Sequence, residues 1–405
     1  MEMKGIQYKL LEYIDKEHNT EENFQNINQL LIDQKILENR HDTSTFLYLI
    51  SKIANNHHRV NDFFTKIEHI IKSIKDDILK HFTNTEIFDI FKQNKRLLLF
   101  LLQEKMIQFD TKIVSKIIEG KYRELFYPHY FYTEIKPFIS CILDTDIKRK
   151  IPENFDQKRS NGENDQIVCE LIRNDSIEEF ITFVNKSNLS LKSTIEHSIF
   201  ETNPLLLKKK KVTLIEYTAF FGSIQIFRYL YLNNVELSSS LWIYSIHGAN
   251  EEIIHILNEQ KVEPKFEFIE YNKTHHFYSE RCVSSFEGCL KEALKCHHNE
   301  IANYILNNYI DKNELAENIG KIYDRNLSKY CFHYYNFDFF QSDFNSKFIF
   351  HYSCQYDYYN IVNFLLNTKR IDINSTVVLK LMIFIHQIPN KNFVFFIEFF
   401  IFIFP

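Results

Sequence analysis

Metal-binding side chains are concentrated in one stretch of this sequence. It holds three cysteines spaced by seven residues and two adjacent histidine pairs: Cys282, Cys289, Cys296, His275, His276, His297 and His298. Thiolates and imidazoles suit Zn²⁺, but structural zinc sites draw on closely spaced pairs such as C-x-x-C, which this stretch lacks. A turn between two helices at 296–298, with imidazoles bonded to the backbone, is the simpler explanation. We therefore predict no metal and no cofactor.

Catalytic signatures are also missing from the sequence. We find no phosphate-binding G-x-x-x-x-G-K, no G-x-S-x-G, no H-E-x-x-H and no kinase or dinucleotide motif. Catalytic groups can still converge from distant positions, so an enzyme stays open as a third alternative. We predict no catalytic residue and no small-molecule substrate.

A run of four lysines occupies Lys208 to Lys211. Such a run could contact phosphates or an acidic partner, and a solvated loop is the alternative. The net charge of the chain is −5, which gives no general attraction to nucleic acid or to an anionic membrane. We predict the solvated loop and no nucleic-acid partner, and the same charge disfavours a membrane partner.

The composition favours helices. The chain has 39 Phe and 23 Tyr but only 7 Gly and 7 Pro, and the abundant residue types share AT-rich codons. The aromatic excess therefore carries little functional information. All-β folds and phosphate-binding loops need glycine at positive φ or at close backbone approaches, and this chain supplies little of it. We predict an all-α protein.

Cysteine usage indicates the compartment. The chain has seven cysteines, an odd number without a disulfide framework, and 45% hydrophobic residues that suffice for a folded core. Residues Met1 to Glu17 are charged throughout, without the apolar region of a secretory signal. The expectation is a soluble, intracellular, cytoplasmic protein.

The first part of the chain, residues 1–143, is predicted to be an N-terminal helical domain. Apolar residues recur there at helical spacing, Thr83 with Glu86 fits a capping box, and Arg96 to Leu102 resembles a short buried helix. The polar segment 144–165 contains Pro152 and Gly162 and is predicted to be a loop or linker.

A recurring unit fills residues 166–375. A polar turn precedes adjacent apolar residues, and further apolar residues follow one helical turn later. The copies are Phe180, Ile181, Phe183, Val184; Ile226, Phe227, Leu230, Tyr231; Ile253, Ile254, Leu257; Ile301, Ala302, Ile305, Leu306; and Ile361, Val362, Leu365, Leu366. Small side chains about eight residues upstream of four copies, such as Ala219, Ser245 and Ala293, predict a closely packed preceding helix.

The unit resembles the ankyrin repeat. The run from Thr213 through Ala219 and Gly222 to Phe227 follows the pattern T-P-L-H-x-A, Gly and an apolar pair, although no copy has an intact T-P-L-H. Successive copies are 27, 48 and 60 residues apart after Ile226, so insertions interrupt the 33-residue period. The whole chain is similar to the divergent, expanded ankyrin families of AT-rich protist genomes, which carry an N-terminal helical domain of unknown function.

This resemblance implies an ankyrin-like helical solenoid that binds a protein partner through its concave surface, a scaffold without catalytic activity. Alignment of the repeats gives the partner-binding positions as Tyr217, Phe220, Tyr244, His247, Glu292, Lys295, Tyr352 and Gln355. The alternative is that several, Phe220 and Tyr244 above all, pack inside the protein. A second functional hypothesis is an adaptor whose N-terminal helices recruit another complex, for example in ubiquitin ligation.

The last segment, residues 376–405, departs from the repeat pattern. Phe393 to Phe404 is apolar except for Glu398, and twelve residues are too few to span a bilayer, which takes about 20. An ill-matched or truncated chain end, a buried terminal helix and a membrane anchor remain as alternatives.

Overall fold

A computed structural model of the chain describes residues 3–310, apart from 17–19, 61, 150, 153, 208–210, 273–276 and 284–285. The chain divides into two compact units, Met1–Asn307 and Asn308–Pro405, and every helix and strand of the described residues begins in the first. Tyr352, Gln355, the copy at 361–366 and the segment 376–405 lie outside the described residues.

The described part is predominantly helical, as the all-α prediction requires. Thirteen α-helices lie in the described residues before Asp165 and confirm a helical N-terminal region. They are α1 Met3–Asp15, α2 Thr20–Asp33, α3 Arg40–Asn56, α4 Phe63–Ser73, α5 Lys75–His81, α6 Asn84–Phe91, α7 Lys95–Gln103, α8 Thr111–Ile118, α9 Gly120–Glu124, α10 Tyr127–Tyr130, α11 Tyr132–Ile135, α12 Cys141–Lys148 and α13 Phe155–Asn161, with a 3-10 helix at Lys136–Phe138.

Two of the sequence predictions for this region are confirmed. Helix α6 begins with a capping box, in which the backbone N–H of Thr83 donates to the Glu86 carboxylate over 2.9 Å. Helix α7 buries Leu97, Leu98 and Leu101 completely. Helix α3 packs against α6 and helix α4 against α7.

The loop predicted for 144–165 is wrong in part, because α12 extends to Lys148 and α13 occupies Phe155–Asn161. Its charged residues have partners inside the fold: Arg159 is buried, donates to the Tyr130 carbonyl at 3.2 Å and pairs with Glu134 at 2.8 Å. A polar composition therefore does not indicate a loop here. The predicted domain boundaries stay a prediction.

Eight further helices follow as four consecutive pairs. The pairs are α14 Ile167–Arg173 with α15 Ile177–Ser187, α16 Leu214–Phe221 with α17 Ile224–Leu232, α18 Leu241–Gly248 with α19 Glu251–Glu259, and α20 Phe286–Lys295 with α21 Asn299–Tyr309. The first helices contact one another in the order α14, α16, α18, α20, and the second helices in the order α15, α17, α19. The described copies of the recurring unit are α15, α17, α19 and α21.

Each pair turns at a residue with left-handed backbone. These residues are Asp175, Gly222, Ala249 and His297, with φ between 49° and 67°. In three of the turns, the residue after the left-handed one donates its N–H to the carbonyl oxygen five residues earlier, at 2.9–3.0 Å. These bonds run from Ser176 to Leu171, from Ser223 to Thr218 and from His298 to Ala293. This geometry is the Schellman ending of a helix, which satisfies carbonyls that the helix leaves unpaired.

Three of the second helices, α15, α17 and α19, also share one ending. In each, a left-handed residue is followed by an apolar residue whose N–H donates to the carbonyl oxygen of a buried apolar residue. The bonds run from Leu189 to Val184, from Val235 to Leu230 and from Val262 to Leu257, at 3.0–3.2 Å. Helices α2 and α7 end in the same way, with Ile36 returning to Leu31 and Met106 to Leu101. The recurring helix ending therefore extends into the N-terminal region, where the sequence pattern alone did not reveal it.

The first helices approach closely because their contacting residues are small. Thr218, Ser245 and Ala293 have no exposed surface. A Cβ atom added to Gly248 would lie only 2.0 Å from the carbonyl oxygen of Ala219, so α16 and α18 touch backbone to backbone. The predicted role of the small side chains is confirmed.

A β-hairpin separates the third pair from the fourth. Strands β1 Phe266–Asn272 and β2 Phe277–Val283 pair antiparallel, with Phe266 opposite Val283. This insertion accounts for the 48-residue interval between Ile253 and Ile301.

Candidate functional sites

The predicted partner-binding aromatic residues are buried. Tyr217 is 1% exposed, Phe220 5% and Tyr244 9%, and Arg173 donates to the Tyr217 hydroxyl over 3.0 Å. Burial raises the pKa of Tyr217 well above its usual value. These three side chains are therefore not exposed on an open surface, as the alternative of packing inside the protein predicted, and their partner-binding role stays a prediction.

The three charged positions of that prediction pair with one another. His247 Nε2 and Lys295 Nζ each lie 2.7 Å from the same Glu292 carboxylate oxygen. Burial would raise the pKa of Glu292, but the Lys295 charge and the His247 bond outweigh it and hold this pKa well below its usual range. The Phe220 ring stacks on the His247 ring at 5.5 Å. These residues form an internal ion network linking α18 to α20.

The N-terminal helices explain part of this burial. His57, which follows α3, approaches Cys296 at the end of α20, with Nδ1 2.7 Å from the Cys296 carbonyl oxygen. Burial and then the charge of Lys295 lower the pKa of Lys52, which lies on α3. Repeat alignment identifies which side of a first helix faces away from the second helix, but it does not identify what covers that side.

Three histidines meet at this contact. His57, His58 and His298 each offer one ring nitrogen, and these atoms lie within 4.8 Å of one another. The ring centroids are 4.4 Å apart for His57 and His58, 4.8 Å for His57 and His298, and 5.1 Å for His58 and His298. Asp15, the last residue of α1, places Oδ1 2.9 Å from His57 Nε2 and 3.8 Å from His58 Nε2.

The surroundings of His58 and His298 favour neutral imidazoles. Burial, followed by the neighbouring His57, lowers the pKa of His58 to about 4. Burial and the surrounding histidines lower the pKa of His298 well below its usual value. Burial acts to raise the pKa of Asp15, but the bond to His57 and nearby positive charge hold it below its usual value.

A second group with metal-ligand chemistry lies next to this cluster. His247, Glu292 and Cys296 offer atoms within 4.8 Å of one another. Burial raises the pKa of the Cys296 thiol well above its usual value, which disfavours the thiolate that a metal would bind. Lys295 already neutralises Glu292 there, which makes this second group a poor cation site.

The cysteines and histidines that the sequence suggested for zinc are only partly brought together by the fold. Cys289 and Cys296 are buried in or next to α20, Cys282 lies in β2, and His275 and His276 lie outside the described residues. His298 joins a cluster with His57 and His58, which the sequence pattern did not predict. The available signal was that His57 and His58 are adjacent, like His297 and His298.

An exposed groove runs along the outer side of the first helix pair. It has a volume of about 620 Å³ and is lined by residues of α14 and α15: Ile167, Leu171, Glu178, Glu179, Thr182, Phe183, Lys186 and Ser187. Ile167 is 61% exposed, a large fraction for an apolar side chain on a short helix.

A comparison of the chain with protein-family models, curated proteins and solved structures found no match. The ankyrin resemblance therefore stays a prediction. Within the described ranges, no helix combines the length and apolar composition needed to cross a bilayer.

Proposed function

We propose that this protein is a binding scaffold, an ankyrin-like solenoid that recognises a helical segment of another protein at the outer edge of its first helix pair. The observation that carries this proposal is the groove on α14 and α15, which combines the apolar residues Ile167, Leu171 and Phe183 with charged residues and leaves Ile167 61% exposed. The proposal requires no catalytic residue. It keeps the expectation of an intracellular setting, which rests on cysteine usage.

Stacking supports the solenoid part of the proposal. All four pairs turn at a left-handed residue, and first helices contact first helices along the series. In solenoids each unit buries apolar surface against its neighbours, so an internal unit has two covered sides. Helix α14 contacts α16 and α15 contacts α17, while Ile167, Leu171 and Phe183 line the groove.

The charges around the groove indicate which charge pattern a helical partner would carry. Glu178 and Glu179 lie exposed at the start of α15, and Lys186 lies exposed near its end. An amphipathic helix lying along α15 would fill the groove with residues at i, i+3, i+4 and i+7. Basic side chains opposite the two glutamates and an acidic one opposite Lys186 would fix its direction.

A peptide-display screen on the full-length protein tests this proposal. Enriched helical peptides are expected to carry an apolar stripe with Lys or Arg at one end, and Phe183→Asp should weaken their binding at least about tenfold. Leu232→Asp is the matched control, because Leu232 is 75% exposed at the end of α17 and lies outside the groove.

Three results would contradict the proposal: no enrichment of such peptides, equal binding to the Phe183→Asp variant, or a dimer in light scattering that Phe183→Asp dissociates. The last result would assign the groove to a second copy of this chain. The alternative of an adaptor that recruits a second complex through its N-terminal helices stays a prediction, and so does partner binding at Tyr352 and Gln355.

A further inference from the structure

We propose that Asp15, His57, His58 and His298 form a binding site for a divalent transition-metal ion of the zinc class, which ties the N-terminal helices to the fourth helix pair. Imidazole nitrogens are preferred ligands of such ions, and a carboxylate commonly completes the set. The proposal is independent of the function proposed above.

The surroundings of His57 are those of a metal-binding histidine. A carbonyl oxygen only accepts hydrogen bonds, so the 2.7 Å contact with Cys296 places a proton on His57 Nδ1. Nε2 then faces the Asp15 carboxylate at 2.9 Å, a contact between two acceptor atoms unless a proton or a cation lies between them. Metal-bound histidines usually donate their other N–H to a carbonyl or carboxylate in this way.

His298 and His58 supply nitrogen atoms without hydrogen bonds. His298 is only 8% exposed, and among the described residues neither His298 Nε2 nor His58 Nδ1 has a hydrogen-bond partner. A buried polar atom without a partner destabilises the folded protein. Coordination of an ion would remove this destabilisation, because a neutral imidazole nitrogen binds a metal through its lone pair.

The distances permit coordination after small side-chain rotations. Zn–N bonds of about 2.0–2.1 Å place tetrahedral ligand atoms roughly 3.3 Å apart. One ring nitrogen of each of His57, His58 and His298 lies within 4.8 Å of the other two, and Asp15 Oδ1 lies 2.9 Å from His57 Nε2. The side chains of His58 and Asp15 are 26% and 36% exposed, which gives an ion a path from solvent.

Zinc binding by the full-length protein tests the proposal. After removal of metal with a chelator and dialysis against Zn²⁺, elemental analysis of wild type is expected to find one zinc that His58→Ala and His298→Ala lose. Excess Zn²⁺ should raise the melting temperature of wild type by about 5 °C and that of the two variants by much less. His41→Ala, which removes an exposed histidine outside the cluster, should behave as wild type.

Cys296→Ala separates the two neighbouring groups, because it removes the thiol but keeps the backbone carbonyl that His57 contacts. This variant is expected to retain the zinc. Co²⁺ bound to wild type should give the absorption of a tetrahedral site with nitrogen and oxygen ligands. No zinc in wild type, zinc that persists in both histidine variants, or zinc lost only with Cys296 would overturn the assignment.

Discussion

His57 donates from Nδ1 to the carbonyl oxygen of Cys296, across 2.7 Å and 239 sequence positions. The contact holds the end of α3 against the turn of the fourth helix pair. Part of the surface that would be open in an isolated helix-pair array is therefore an internal contact of this protein. The exposed groove on α14 and α15 lies elsewhere, and we place partner binding there.

Truncation of the Tyr217 side chain is expected to lower the free energy of unfolding. Tyr217→Ala removes a ring that is 1% exposed and the acceptor of a bond from Arg173, so the free energy of unfolding should fall by about 3–5 kcal/mol. Urea denaturation followed by circular dichroism measures this change. Tyr8→Ala is the control, because Tyr8 is 65% exposed and its loss should cost under about 0.5 kcal/mol. Equal stability of the two variants would show that Tyr217 is not a core residue.

At the turns of the second and third pairs, Gly222→Ala is expected to lower the stability of the fold and Ala249→Gly to raise it. Gly222 has φ of 67°, and an added Cβ would lie 2.8 Å from the Gly248 carbonyl oxygen, so Gly222→Ala should destabilise by more than about 1–2 kcal/mol. Ala249 has φ of 50° at the matching position, and Ala249→Gly should stabilise by roughly 1 kcal/mol. Chemical denaturation of both variants gives the signs. Destabilisation by Ala249→Gly would contradict the left-handed turn.

Lys95 should make stability depend on pH. Burial, only partly offset by Glu201, lowers the pKa of Lys95 to about 7 from its usual 10.5, and its ammonium group contacts the carbonyls of Leu125 and Ile199. Between these two pH values the unfolded chain binds a proton that the folded chain lacks. Stability from this group therefore rises with pH across that window, by at most about 1.4 kcal/mol per pH unit.

Urea denaturation at pH 7.5 and 9.5 measures this contribution. Wild type should gain about 2–3 kcal/mol over this interval relative to Lys95→Met, and other titrating groups cancel in the comparison. Lys80→Met, at an exposed lysine, should follow wild type. Parallel pH profiles for wild type and Lys95→Met would mean that Lys95 stays charged in the folded protein.

Arg59 and Arg228 should contribute differently to the free energy of unfolding, because the carboxylates they pair with differ in burial. Arg59 lies 3.3 Å from Glu163 and 3.8 Å from Glu201, and Glu201 is 2% exposed. Arg59→Ala leaves that carboxylate buried without its main counter-charge, so it should cost about 3–5 kcal/mol. Arg228 pairs with Glu252 at the surface, and Arg228→Ala should cost at most about 1 kcal/mol. Similar losses, measured by urea denaturation, would contradict this ranking.

The helices and their ends could be predicted from the sequence, because the patterns that indicate them involve residues close together in the chain. Apolar spacing predicted the helices that became α7, α15, α17, α19 and α21, and the Thr83 and Glu86 side chains predicted the start of α6. Small residues at Thr218, Ser245 and Ala293 predicted the close approach of the first helices. Each signal depends on residues within about two helical turns, so no knowledge of distant contacts was needed.

Polar composition predicted secondary structure less well. The segment around Arg159 was predicted to be a loop, yet it forms α13, because Arg159 finds Glu134 and the Tyr130 carbonyl inside the fold. Whether a charged residue is solvated or paired depends on partners that can come from any part of the chain.

Only the tertiary structure decided which helix sides are covered and which side chains meet. Periodicity reveals that a helix has an apolar side, and in repeats it reveals which positions are equivalent. It does not reveal that α3 brings His57 and His58 to His298, nor that Tyr217 is covered while Ile167 is exposed. Those outcomes depend on contacts between residues far apart in the chain, and helical spacing carries no information about such contacts.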